Sequence, residues 1–138
     1  MAYVLEMLSM VSSFVLCNGI YDVLCAWAIV FGKPLFLSDI HISMFHNKEI
    51  LANCLTMKHM MAYWILTYGI VRICGSFGGV ESKSMCILSY IIEAGCFEFE
   101  LLHRKNMSAW RVHFVSVSSL FMCWLIILDS GLSIVFKQ

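Results

Sequence analysis

Residues 59–102 read HMMAYWILTYGIVRICGSFGGVESKSMCILSYIIEAGCFEFELL, and this stretch decides the fold. Two apolar segments, 59–79 and 84–102, flank the short run Gly78-Gly79-Val80-Glu81-Ser82-Lys83. Each segment has about the 20 mostly apolar residues with which a helix crosses a bilayer at roughly 1.5 Å per residue. The run between them is too short for anything but a tight turn. We therefore predict an antiparallel hairpin of two membrane-spanning helices.

Two further apolar stretches lie outside this hairpin, at 7–31 and 112–136. The run Gly32-Lys33-Pro34 ends the first, because proline cannot continue the helical hydrogen bonds and disfavours helix in the residue before it. A long polar loop then reaches Lys58, and residues 103–108 form the last loop. The sequence predicts an all-α integral membrane four-helix bundle, with residues 1–138 as a single membrane domain.

The composition excludes several classes of protein. Of the 138 residues, 61% are hydrophobic and 13% are charged, and the mean hydropathy is +0.85. An average soluble domain is about 45–50% apolar and about 25% charged, so a soluble enzyme and a disordered linker are both excluded. Nine basic residues balance nine acidic ones, which leaves no basic excess for nucleic acid. The seven cysteines lie singly, as small packing residues do, and predict no metal site.

Basic residues predict the orientation in the membrane. Six lie in or beside the first and third loops, two lie on the opposite side, and Arg72 lies within a helix. The positive-inside rule then places loops 1 and 3 in the cytosol or the mitochondrial matrix. The first 32 residues contain no Lys or Arg, unlike a secretory signal or a mitochondrial presequence, so we expect the first span to be retained.

Several charged residues lie within the predicted spans, where each costs at least ~2.5–3.5 kcal/mol unless it faces the bundle or a partner. Counted from the non-cytosolic face, Arg72 and Asp129 lie ~10 Å deep and Glu93 ~13 Å deep. We therefore predict one buried ionic cluster of these three residues. Asp22 lies ~22 Å deep without a cation at its level, and we expect an outside partner for it.

A second interpretation of the carboxylates is a proton path. Glu93 and Glu100 are seven residues apart and share a helix face, whereas Glu98 points elsewhere. The simpler interpretation is that Arg72 neutralises a carboxylate as a packing clamp. In that interpretation, Glu98 and Glu100 lie near the interface and pair with Arg104 and Lys105.

Three histidines fall at one membrane edge, since His59 opens the second span, His103 ends the third and His113 opens the fourth. Two imidazoles at one level on different helices are what a bis-histidine haem requires. The alternative is that these rings are polar caps at the interface. We expect no cofactor and keep a haem- or quinone-binding redox anchor as an alternative.

Motifs of catalysis are missing from the sequence. It contains no HExxH, GxSxG, P-loop or GxGxxG motif, so we expect no enzyme activity. Gly75 and Gly79 have the spacing that lets membrane helices approach closely, although their position suits a turn equally well.

Three short motifs lie in the first span, at the entry to the second span and in the third span. They read Cys17-Asn18-Gly19-Ile20-Tyr21, His59-Met60-Met61-Ala62-Tyr63-Trp64 and Gly95-Cys96-Phe97-Glu98-Phe99-Glu100. These resemble motifs of the small four-helix membrane scaffolds of ergosterol biosynthesis, which tether the sterol C-4 demethylation enzymes. The matching residues are Asn18, Trp64, Gly95, Phe97 and Glu100. His59, Ala62 and Cys96 stand where the family has arginine, glycine and histidine.

The resemblance implies a noncatalytic scaffold of the endoplasmic reticulum membrane. The same four-helix body also suits an accessory subunit of a respiratory or ATP-synthase complex in the mitochondrial inner membrane. Either way, we expect the protein to bind lipids and other integral membrane proteins of a larger complex. The residues expected at such contacts are Asp22, Glu100, Lys58, Arg104, Lys105 and Arg111.

Overall fold

The computed structural model describes residues 2–32, 35–45, 54–105 and 107–135, and these are almost entirely helical. The helices are α1 (Ala2–Phe31), α2 (Leu35–Ile42), α3 (Leu55–Phe77), α4 (Val80–Phe99) and α5 (Ala109–Val135). A π-helical turn, Glu100–Arg104, continues α4. Among the described residues, the only extended pairing is an isolated bridge between Phe45 and Met107. The all-helical prediction is therefore confirmed.

Three helices are long and apolar enough to cross a membrane, over Met10–Phe31, Leu55–Phe77 and Ala109–Gly131. They fit a multi-pass membrane protein. The predicted third span, 84–102, falls on α4 and the π-helical turn. This segment does not reach the same apolar level in the described chain, since Glu93, Glu98 and Glu100 lie in it.

The predicted hairpin turn is shorter in the structure than in the sequence analysis. Only Gly78 and Gly79 separate α3 from α4, and both have extended backbones. Residues 80–83 belong to α4, whose first turn carries Glu81, an acidic residue that the positive end of a helix dipole favours. A Cβ on Gly78 would lie 2.3 Å from the Ser82 side chain, so only glycine fits this turn.

The prediction of a long polar loop between the first two spans is also wrong in one respect, because this segment contains the helix α2. Tyr21 of α1 and His41 of α2 have ring centroids 6.2 Å apart, so α2 folds back along α1. The backbone N–H of Ser108 donates to the carbonyl oxygen of Met44 at 2.8 Å. This bond connects the segment after α2 to the start of α5. Residues 46–53 of the loop lie outside the described residues.

A backbone-to-backbone contact sets how α1 packs on α3. A Cβ on Gly19 would lie 2.8 Å from the Gly69 carbonyl oxygen, and a Cβ on Gly69 would lie 2.9 Å from that of Gly19. The two helices therefore cross at these glycines, as small residues permit in membrane helices. Ala26, Ile29 and Ala62 continue the contact as a buried cluster.

The remaining helices complete the bundle around a second core. The Gly75 backbone of α3 lies against Cys86 of α4, where a Cβ would be 2.8 Å from the cysteine Cβ. Helix α4 packs along α5, while α1 meets α5 only sparsely. The core between α1, α4 and α5 consists of Val11, Val15, Cys86, Tyr90, Cys123 and Ile126.

Candidate functional site

Arg72 is the centre of a buried ionic group that we call the Arg72 cluster, formed by Arg72, Asp22 and Glu93. Its Nη1 donates to Asp22 Oδ2 and its Nη2 donates to Glu93 Oε2, and the donor–acceptor distance is 2.6 Å in both bonds. The arginine is only 1% exposed. Charge-assisted hydrogen bonds of this kind are roughly twice as strong as neutral ones. The cluster therefore joins α1, α3 and α4 in the bundle interior.

Neutral side chains extend the cluster to the remaining long helix. Ser119 of α5 donates to Glu93 Oε2 at 3.1 Å. The Tyr90 ring lies 3.9 Å from the guanidinium carbon of Arg72, a cation–π distance. The Tyr90 hydroxyl accepts a hydrogen bond from Asn18 Nδ2 at 2.9 Å. All four long helices thus contribute side chains to one polar network.

Asp129 lies outside this cluster, so the predicted trio of Arg72, Glu93 and Asp129 is wrong in its third member. Asp129 accepts a hydrogen bond from Lys83 of α4, and we call these two residues the Lys83 pair. Along α5, Asp129 lies ten residues beyond Ser119, which is about 15 Å at the helical rise. A shared depth in the sequence therefore did not mean a shared position in the bundle.

Asp22 takes the place that Asp129 was predicted to hold, so it does have a cation within the chain. The depth estimate compared positions along the helix axes and did not count the length of the arginine side chain. Arg72 reaches from α3 to the Asp22 carboxylate beside the Gly19–Gly69 contact. The prediction that Asp22 lacks a cation within the chain is therefore wrong.

Of the two glutamates near the end of α4, Glu98 has a partner other than the predicted one, whereas the pairing of Glu100 stays a prediction. His113 Nδ1 lies 2.9 Å from Glu98 Oε1, so Glu98 pairs with a histidine of α5 rather than with Arg104 or Lys105. Glu100 begins the π-helical turn, and its carbonyl accepts from the Lys105 backbone N–H at 3.1 Å. The Arg104 side chain lies outside the described part of the structure. Glu93 and Glu100 therefore differ, since the first is bonded to Arg72 and the second lies at the helix end.

The three candidate haem histidines have separate contacts. His59 lies 6.3 Å from the Tyr63 ring, His103 stacks on Phe99 at 4.3 Å, and His113 faces Glu98. Across the described ranges, no group of three or more His, Cys, Asp or Glu side chains has metal-binding geometry. Each of the three rings therefore has a different neighbour among the described residues.

Basic side chains mark the end of the bundle at which α2 lies, which we call the α2 end. Arg111 is exposed there and donates to the Ser43 carbonyl. Lys105 is exposed and has a left-handed backbone with φ 53°. Lys58 is partly exposed in the first turn of α3. Each of these three side chains is at least partly exposed at this end.

The residues that match the scaffold motifs have different surroundings. Asn18 bonds Tyr90 in the interior, and Phe97 packs against the cluster of Met44, Met107 and Val112. Trp64 is exposed and contacts the Tyr68 ring edge-on. Gly95 is exposed, and no atom lies within 4 Å of where its Cβ would be.

A cleft of about 730 Å³ lies beside the Arg72 cluster, and we call it the α1–α5 cleft. Asp22, Arg72, Tyr90 and Glu93 line it together with His41 and Met44 from the α2 end. Phe14 of α1 and Phe114 of α5 also line it and are more than half exposed, so the cleft opens to the outside between these helices. The amino-acid sequence did not indicate this cleft or the contacts of Tyr90 and Ser119 beside it, nor the pairing of Lys83 away from it.

Comparisons with protein-family models, with curated proteins and with solved structures find no match to this chain.

Proposed function

We propose that this protein is a noncatalytic membrane scaffold or accessory subunit that holds partner membrane proteins in a larger complex. The observation that carries the proposal is the Arg72 cluster with its neutral neighbours, which ties the four long helices together. Separating the helices would leave charged groups facing lipid, so the cluster favours a single arrangement of the bundle. A frame of fixed shape suits a binding protein.

The outer surface supports the same proposal. In α4 the polar side chains of Lys83 and Glu93 are bonded within the bundle. The exposed side chains of this helix are largely apolar, and they include Met85, Leu88, Ile91, Ile92 and Phe99. Helix α4 can therefore lie in the bilayer as a fourth span despite its charges. The bundle then presents apolar side chains to lipid or to partner helices.

The α2 end supplies a second surface for partners. Lys58, Lys105 and Arg111 lie there, and the positive-inside rule places this end in the cytosol or the mitochondrial matrix. Exposed basic residues beside a membrane attract anionic head groups and acidic segments of partner proteins. We propose these residues, with Arg104 and Glu100, as peripheral contacts.

The motif resemblance suggests which complex to test first. A scaffold of sterol C-4 demethylation would lie in the endoplasmic reticulum membrane. An accessory subunit of a respiratory or ATP-synthase complex would lie in the mitochondrial inner membrane. Asn18, one of the residues that carry the resemblance, bonds Tyr90 within the network that holds the bundle.

The proposal is tested by purifying the tagged chain from its own cells in a mild detergent. The complex is sized on a native gel, and one band is examined by mass spectrometry and by absorption spectroscopy. We expect a band larger than the chain itself that contains other integral membrane proteins. A monodisperse, partner-free chain overturns the proposal, and a Soret band that is lost on His59, His103 or His113 substitution replaces it with a haem anchor.

A further inference from the structure

The α1–α5 cleft is an open space between two membrane-spanning helices. Its volume of about 730 Å³ lies within the roughly 300–1,000 Å³ typical of binding pockets. Phe14 of α1 and Phe114 of α5 line it and are 57% and 64% exposed, so the cleft opens sideways toward the bilayer. Because protein interiors are close-packed, we expect a space of this size between membrane helices to be filled by another molecule.

The charges that line the cleft balance one another. Arg72 and Arg111 carry two positive charges against the two carboxylates of Asp22 and Glu93. Arg72 and Asp22 are only 1% and 4% exposed, and Arg72 is bonded to both carboxylates. The Arg72 cluster therefore lies beneath the wall of the cleft, and the surface that faces an occupant there is mostly apolar.

The cleft begins at the α2 end, at the level of lipid head groups. Trp110 and Arg111 line it there, and the apolar span of α5 begins at Ala109. Tryptophan at the start of a span is typical of the membrane–water interface. Arg111 donates to the Ser43 carbonyl, and its remaining N–H groups have no partner among the described residues. A guanidinium with such donors at this level suits a phosphate group.

The cleft ends about one leaflet deeper in the membrane. Met122 is the last residue of α5 that lines it, eleven residues or about 17 Å along the helix from Arg111. The hydrocarbon core is about 30 Å thick, so the chains of one leaflet span about 15 Å. Beyond Met122, Val11 and Ile126 belong to the core that fills the space between α1 and α5. A partner helix would require a groove through both leaflets, whereas the acyl chain of a lipid requires only one.

We infer that the α1–α5 cleft binds one phospholipid from the leaflet at the α2 end, with its phosphate on Arg111 and an acyl chain between Phe14 and Phe114. The chain fills the gap where α1 meets α5 only sparsely. It also covers the Arg72 cluster and keeps water from its ion pairs, which strengthens them. The lipid is thereby a structural component of the bundle. The inference goes beyond the scaffold role, because it applies with or without a partner protein.

The head-group contact is tested by native mass spectrometry of the full chain in detergent with added dioleoyl phosphatidylglycerol. We expect the wild type to retain one lipid per chain. Arg111→Gln should retain it about tenfold more weakly, because a charge-assisted hydrogen bond is lost. Lys105→Gln is the matched control, since Lys105 is exposed at the same end and does not line the cleft. Dioleoylglycerol lacks the phosphate and should bind the wild type as weakly as phosphatidylglycerol binds Arg111→Gln. Glycerol phosphate lacks the chains and should not be retained.

The acyl-chain contact is tested by filling the cleft. Ser118 is an exposed residue of the cleft lining, so Ser118→Trp places an indole ring in the space for the chain. Val117→Trp is the matched control, because Val117 is exposed on α5 outside the lining. We expect Ser118→Trp to lose the lipid and Val117→Trp to retain it. Added phosphatidylglycerol should then raise the melting temperature of the wild type and Val117→Trp but not of Ser118→Trp. Helical circular dichroism and a single elution peak show that each variant is folded.

Three results would overturn the inference. Equal retention of phosphatidylglycerol by Ser118→Trp and Val117→Trp would mean that the lipid surrounds the bundle rather than occupying the cleft. Dioleoylglycerol bound as tightly as phosphatidylglycerol would mean that Arg111 holds no phosphate. A partner protein that Ser118→Trp releases, while both variants retain the lipid, would mean that a protein occupies the cleft. The scaffold role is tested separately by the purification of the tagged chain, so its failure is distinguishable from failure of the lipid site.

Discussion

The Arg72 cluster and the Lys83 pair neutralise buried carboxylates in opposite ways. In the Lys83 pair a flexible lysine near the start of α4, with its side chain 18% exposed, meets an aspartate that is 2% exposed. In the Arg72 cluster a rigid, fully buried guanidinium meets two carboxylates from different helices. A lysine at a helix end can extend its charge toward the interface, whereas the planar guanidinium is held in place by its donors. The pair therefore joins two helices, while the cluster organises the bundle.

The largest expected effect is the loss of Arg72 itself. Arg72→Leu leaves Asp22 and Glu93 buried side by side without a cation, which should lower the free energy of unfolding by about 3–5 kcal/mol. This change in stability is measured by thermal unfolding in detergent, with circular dichroism as the signal. Arg72→Lys is the matched variant, because it keeps the charge but loses the two-pronged geometry, and it should fall between the wild type and Arg72→Leu. Equal melting temperatures for all three would contradict a central role for the cluster.

The contact of Gly19 with Gly69 sharpens the comparison, because each glycine lies three residues before a member of the Arg72 cluster on the same helix. Gly69→Ala places a Cβ 2.9 Å from the Gly19 carbonyl oxygen, so α1 and α3 must move apart. We expect a loss of about 1–3 kcal/mol, typical of overpacking. Gly95→Ala is the control, since its Cβ meets nothing within 4 Å, and better helix propensity should stabilise it by up to ~1 kcal/mol. A Gly69→Ala protein as stable as the wild type would show that the register does not depend on this contact.

Breaking the Lys83 pair should have a smaller effect than breaking the cluster. Lys83→Met leaves Asp129 buried without its donor, which we expect to destabilise the fold by about 1–2 kcal/mol. Neutralising both, as Lys83→Met with Asp129→Leu, should recover most of the loss, because an apolar pair of similar volume replaces a buried ion pair well. Chemical unfolding of the three proteins in the same detergent measures these differences. A double variant as unstable as the single one would mean that the pair has further partners.

The smallest effect concerns pH at the cleft. Burial lowers the pKa of His41 below its ordinary value of about 6.5. Below that pH the unfolded chain binds a proton that the folded chain does not, so stability falls as pH falls from 7 to 5. For one group the slope is at most about 1.4 kcal/mol per pH unit. His41→Gln should reduce the slope of unfolding free energy against pH, and an unchanged slope would show that His41 titrates alike in both states.

Local features of the sequence were sufficient to locate the four long helices. Their positions follow from apolar length, and their ends from Gly32 and the Gly78-Gly79 turn. Helix α2 was missed because residues 35–42 make only about two helical turns, too few for a membrane span. The whole segment up to Lys58 was therefore assigned to a polar loop. The start of α4 was also misplaced. Residues 80–83 look polar, yet Lys83 lies within the helix because Asp129 of the distant α5 bonds it.

The amino-acid sequence alone indicated a membrane environment and located the long helices of this protein. Apolar composition and span length can be judged from short segments of the chain. The sequence also showed carboxylates and one arginine within apolar helices. Because unpaired charges are costly there, these groups were expected to pair with one another. Only the tertiary structure decided which of them meet. Depth along a helix says nothing of rotation or of the reach of a side chain. In the structure Gly19 and Gly69, fifty residues apart in the chain, bring α1 against α3, Arg72 bonds Asp22, and Asp129 bonds Lys83.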